Sequence, residues 1–171
     1  MCTQSEVDHR LYFIGAAAAV GLLLSSSATF AATSTATFTV QVTIVATCTI
    51  NSASTLNFGS QGIFTANVDQ TSTIQIQCTN TTPYTIGLDA GVGTGATVAV
   101  RKMTSGGATV NYTLYSDSGR TTVWGTTIGT NTVAATGSGA AQSYTVYGRI
   151  PAQTTPAPGT YNDTVTVTVT Y

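Results

Sequence analysis

Few side chains in this sequence have the types and spacing that chemistry needs. One histidine, three cysteines, five Lys and Arg and six Asp and Glu are spread over 171 residues. The histidine is His9, close to the start. If the opening stretch is removed, no Ser–His–Asp relay can form. Asp69, Asp89, Asp117 and Asp163 stand far apart in sequence, so a carboxylate pair would have to come from folding. The adjacent Arg101 and Lys102 read as a solvated surface pair rather than as an activated nucleophile with its helper. The run Gly91-Val92-Gly93-Thr94-Gly95 lacks the Lys-Ser/Thr ending and the following helix of a phosphate loop, and reads as a flexible turn. Trp124 with the tyrosines would suit a carbohydrate platform, but a place in the core is the stronger expectation for it. Five basic residues cannot assemble a nucleic-acid-binding face. No catalytic site, cofactor or metal centre is expected.

The cysteines take their meaning from compartment. Residues 11–24 form an apolar run, followed by Ser25-Ser26-Ser27 and small residues to Ala32. This is the pattern of a secretory leader, with cleavage expected near Ala31 or Ala32, although Glu6 and Asp8 dilute the charge of Arg10. The run is short for a membrane span of about 20 residues. Cys2 and His9 would leave with residues 1–31. Cys48 and Cys78 remain, and an even pair in an exported chain reads as a disulfide. Its loop of about 30 residues would stabilise the fold by roughly 3–4 kcal/mol. Two thiols without a nearby histidine cannot complete a zinc shell.

After the leader the periodicity is two, the signature of strands. Phe38, Val40, Val42, Ile44, Ala46, Cys48 and Ile50 alternate with Thr and Gln, Val45 excepted. Ile74, Ile76 and Cys78 alternate with Thr73, Gln75 and Gln77. Both cysteines therefore share a face with apolar neighbours and should point inward. Further strands are expected at 84–88, 98–103, 109–115, 121–124 and 144–150. Turns are expected at 91–95 and 116–119, a flexible stretch at 136–141, and a proline loop before the last strand. Short strands at this spacing indicate an all-β sandwich of the immunoglobulin type in one domain.

Two ends do not fit a closed sandwich. The run 38–50 would span roughly 43 Å if extended, too long for one strand of a small domain. Its second half, 46–50, serves as a first strand anchored by Cys48. Phe38, Val40, Val42 and Ile44 are then an apolar face without a home. At the other end Val165, Val167, Val169 and Tyr171 alternate with threonines, with no Lys or Pro to protect the edge. With no sequence after Tyr171 to pair with it, this strand is expected to border an unfilled place. A spare first strand and a missing last one suggest that one molecule lends residues 38–44 to the next, a head-to-tail contact that propagates. Burying the four apolar side chains contributes roughly 6–12 kcal/mol. Ordering the segment costs about 8–16 kcal/mol, so ladder hydrogen bonds and completion of the acceptor core must decide the balance. The competing expectation is that residues 38–44 fold back into their own domain.

The ordered set Ala46-Thr47-Cys48-Thr49-Ile50, Leu56-Asn57-Phe58-Gly59, Ile74-Gln75-Ile76-Gln77-Cys78, Leu114-Tyr115-Ser116-Asp117 with Arg120, and Pro158-Gly159-Thr160-Tyr161-Asn162-Asp163-Thr164-Val165 resembles the spore coat U domain. That family includes subunits of archaic chaperone–usher pili. The resemblance implies an incomplete immunoglobulin-like sandwich lacking its last strand and completed by donor-strand exchange. It implies identical subunits joined head to tail, a periplasmic chaperone capping the groove, an outer-membrane usher, and a fibre on the cell surface. Carried onto this chain, the organisation is a leader at 1–31, a donor extension at 32–45 and the domain at 46–171. The donor positions are Phe38, Val40, Val42 and Ile44, the acceptor edge is Val165, Val167, Val169 and Tyr171, and Cys48 bonds Cys78. The family name also covers spore coats, so a coat protein outside pili stands as the alternative, with a single-domain carbohydrate-binding module behind it.

Overall fold

The computed structural model describes residues 30–171. The leader assigned to 1–31 lies, apart from Phe30 and Ala31, outside the described residues. The chain divides into two units, the first reaching Gln41 and the second running from Val42 to Tyr171. In the first unit the described residues belong to no strand and are exposed.

The second unit is all-β, with eight strands: β1 Cys48–Ala53, β2 Val68–Cys78, β3 Pro83–Leu88, β4 Arg101–Ser105, β5 Ala108–Tyr115, β6 Val133–Thr136, β7 Ala141–Ile150 and β8 Val167–Thr170. They form one sheet in the order β1-β2-β7-β5-β4 and a second in the order β6-β3-β8, with every pairing antiparallel. This is the expected immunoglobulin-like sandwich. Period-two sequence makes the core: Ile74, Ile76 and Cys78 on β2, Tyr84, Ile86 and Leu88 on β3, Val110, Tyr112 and Leu114 on β5, and Val146 and Ile150 on β7 are all buried. Phe58 and Trp124 close the cluster from loops.

Three expectations shift. The strand at 98–103 begins only at Arg101, because Thr97 and Val100 exchange backbone hydrogen bonds in a tight turn. The strand at 121–124 is a loop with a single bridge between Val123 and Tyr115. It is shaped by Asp117, whose carboxylate accepts from the Thr121 and Thr122 amides. Of the stretch read as flexible at 136–141, the two end residues belong to strands, Thr136 to β6 and Ala141 to β7.

Arg101 also departs from its sequence reading. It is not on the surface but fully buried. Its guanidinium donates to the carbonyls of Asp89, Val98, Leu88 and Trp124 at 2.7–3.0 Å. Four backbone acceptors compensate the loss of hydration that burial imposes on the charge. Lys102, its neighbour, reaches outward to the Thr94 carbonyl.

Candidate functional site

The site begins with two strand edges. Among the described residues β1 is hydrogen-bonded only to β2 and β8 only to β3, and the two approach each other across the space between the sheets. Cys48 and Cys78 are bonded to each other and sit directly opposite in the β1–β2 ladder. Thr47 extends the pairing: its carbonyl accepts from Thr79 N at 3.0 Å, and its amide donates to Thr79 Oγ1 at 3.1 Å. Further along, the ladder shifts register between Ile50 and Ser52, a bulge that leaves Asn51 unpaired.

Ile50 carries the diagnosis. It lies directly opposite Ile76 on the same face of the sheet. Ile76 is 0% exposed, whereas Ile50 is 40% exposed. Two isoleucines on one face differ because β2 has a neighbour on each side and β1 has one. On the facing edge Val165, Val167 and Val169 are half-buried against the core while Thr164, Thr166, Thr168 and Thr170 point to solvent. Tyr171 is exposed.

Between these edges lies a cleft of about 350 Å³, its floor made by Leu56, Phe58, Ile74, Leu88, Leu114 and Val146. Gly148 gives this floor room. A Cβ there would lie 2.7 Å from Leu56 Cδ1 and 3.0 Å from Phe58 Cζ, so a larger residue would push these two side chains off β7.

Two carboxylates fix the approach to β8. Asp89 Oδ1 accepts from the Thr166 and Gly91 amides, both at 2.9 Å. Asp163 Oδ1 accepts from Val92 N and Thr164 N at 2.8 Å, and its Oδ2 accepts from the Tyr112 hydroxyl at 2.6 Å. Gly91, at φ 78°, supports the turn that presents these amides, and Asp163 occupies the space a side chain there would need. Burial, reinforced by the Asp163 carboxylate, pushes the Tyr112 hydroxyl far above the usual phenol range. Burial also works against the Asp89 charge, but the bonds from Thr166 and Gly91 and the Arg101 charge outweigh it and hold Asp89 below the usual carboxylate range. The Asp89–Asp163 constellation is what sequence reasoning missed. Nothing in the spacing of two isolated aspartates signals that they meet one turn.

The residues read as donor positions lie apart from any strand. Phe38, Val40, Val42 and Ile44 are between 80% and 87% exposed. Trp124, by contrast, is buried, with Nε1 donating to the Ile86 carbonyl at 2.8 Å. It is therefore core and offers no sugar platform. Among the described residues no three His, Cys, Asp or Glu side chains gather as metal ligands, and no helix is long and apolar enough to cross a membrane. The site offers apolar shape and unpaired backbone edges rather than reactive groups.

The family model described as Spore Coat Protein U domain matches residues 34–168. Among curated proteins, Protein U of Myxococcus xanthus is 34% identical over 173 residues, covering 92% of this chain and 96% of that protein. Among solved structures, a chain of the CsuC–CsuE chaperone–tip adhesion subunit pre-assembly complex, from archaic chaperone-usher Csu pili of Acinetobacter baumannii, superposes with a TM-score of 0.57. It is 25% identical, and the match covers 75% of this chain but only 41% of that one.

Proposed function

The chain belongs to the Spore Coat Protein U domain family, and from that premise we propose that it is a structural subunit of a surface fibre of the archaic chaperone–usher type. Each copy lends residues 38–44 to the groove between β1 and β8 of the next. In this reading residues 1–31 are the export leader, 32–45 the donor extension and 46–171 the accepting domain. The observation that carries it is Ile50, 40% exposed beside a fully buried Ile76 in a sandwich whose facing edges both lack a neighbour among the described residues. Phe38, Val40, Val42 and Ile44 have the apolar face such a gap accepts, at the same period as Val165, Val167, Val169 and Tyr171. Likeness to a subunit found in a chaperone complex supports a periplasmic chaperone that covers the groove before assembly, with an outer-membrane usher making the exchange.

A peptide of residues 37–46 added to protein truncated before Val45 tests this. Binding with a raised melting temperature is expected; no binding and no shift would sink the proposal. The family's name favours one second reading, a coat layer built through the same groove. Electron microscopy of producing cells separates the two: thin fibres or a continuous layer.

A further inference from the structure

Away from the groove, the outer face of the five-stranded sheet gathers a separate cluster. Register sets its ranks. Asp69 of β2 lies opposite Arg149 of β7, which lies opposite Thr113 of β5, and the next rank is Thr71, Tyr147 and Tyr115. Arg149 grips both oxygens of Asp69, at 2.7 and 2.8 Å. Arg120 arrives from the turn after β5. Its Nη1 stands 3.4 Å from Asp69 Oδ2, and its Cζ lies 5.7 Å from the centre of the Tyr147 ring. One carboxylate thus serves two guanidiniums.

The turn holds Arg120 at φ 55°, a left-handed conformation that favours glycine. Bonds from its guanidinium to the Gly148 and Ser118 carbonyls, both 3.3 Å, fix the side chain over Tyr147. Among the described residues, Arg149 Nη1 and Arg120 Nη2 donate to no partner. Along β2 and β7 the face then loses all charge. Thr73 and Gln75 continue it on β2, opposite Thr145 and Ser143 on β7. These side chains both donate and accept hydrogen bonds. From Arg149 to Ser143 the strand covers about 20 Å.

We propose that this face binds an acidic polysaccharide, with a uronate carboxylate taken by the spare guanidinium edges of Arg120 and Arg149 and the following sugar rings laid along β7 over Thr145 and Ser143. A planar carboxylate matches a guanidinium edge, and the neutral hydroxyls and amides match sugar hydroxyls. Charge density selects the polymer. Two cations that share one aspartate fit a chain with one charge per sugar ring, not a duplex with one per ~1.7 Å of axis. None of these residues lines the cleft between β1 and β8, so the site does not depend on strand exchange.

The test is biolayer interferometry of the full chain on immobilised polygalacturonate, neutral dextran and duplex DNA. Binding to polygalacturonate alone, weakening as salt rises, is expected. Arg120→Gly with Arg149→Gln should weaken it tenfold or more. Glycine relieves the left-handed turn, and the melting temperature reports that this variant is folded. Thr145→Asp leaves both guanidiniums in place but sets a like charge in the path of the polymer, and should weaken binding about threefold or more. Lys102→Gln, on β4, should leave it unchanged. No binding to polygalacturonate, equal binding to dextran or DNA, parent-like binding by both altered-face variants, or a loss in Lys102→Gln as large as theirs overturns the proposal.

Discussion

At the scale of single residues, the most consequential side chain is Arg101. Replacing it with Met leaves the carbonyls of Leu88, Asp89, Val98 and Trp124 without their donor inside the sandwich. The expected loss is roughly 2–5 kcal/mol in urea unfolding. Lys at the same position should recover only part, since an ammonium cannot reproduce the planar fork. Asp89 and Asp69 set the acid limb. Arg149 holds Asp69 low through bonds of 2.7 and 2.8 Å to its two oxygens, and Asp89 is held low by the Thr166 and Gly91 amides and the Arg101 charge despite its burial. A carboxyl with a folded value below its unfolded one stabilises fully above the unfolded value, about 3.9. That contribution disappears as pH falls through the folded value. Melting temperature should therefore drop steeply below about pH 4, and Asp89→Asn should be less stable at pH 7 with a flatter acid limb. The cysteine pair was legible in sequence because each cysteine sits in an alternating apolar frame and the pair is even once residues 1–31 are read as a leader. Arg101 was not, because a lone arginine beside a lysine carries no mark of the four carbonyls that fold around it.

At the scale of elements, β1 is the dependent strand. It has one partner, a bulge at Asn51, and a covalent tie at its first residue. Reducing the disulfide, or replacing both cysteines with Ala, should cost about 2–4 kcal/mol. Because β1 has no second neighbour, hydrogen exchange should show its amides losing protection before those of β7, which pairs on both sides. The strongly alternating strands β2, β5 and β7 could be read from sequence because the period of burial repeats over many residues. β6 could not, since Val133-Ala134-Ala135-Thr136 is short and small, and it is a strand only because β3 lies beside it. Residues 121–124 misled in the opposite way. Their β-branched composition invites a strand, but Asp117 captures their amides and Trp124 turns inward to the Ile86 carbonyl.

At the scale of the whole molecule, stability and assembly should separate. Val42 is 82% exposed, so Val42→Asp should leave the melting temperature of the single chain within experimental scatter. The same change would place a charge among apolar neighbours in the groove and should abolish fibres, as judged by sedimentation and electron microscopy. Val167→Asp should differ, lowering stability as well as assembly, because Val167 packs on the core of its own domain. The alternation of the β8 edge was legible in sequence. The floor of the cleft beside it was not: Leu56 and Phe58 come from a loop without periodicity and lie close on β7 at Gly148.

The position of the disulfide has a mechanical consequence. In the proposed fibre under tension, load would enter each domain through Ala46 and Thr47 and arrive at Cys48, the first residue of a strand whose one partner within its own domain is β2. Pulled from its end, such a strand would peel away one hydrogen bond at a time. The bond to Cys78 diverts the force at that first residue into β2, which is gripped by β1 on one side and β7 on the other. A covalent shunt thus stands ahead of the weakest seam, and the load is shared by strands that yield in shear rather than in sequence.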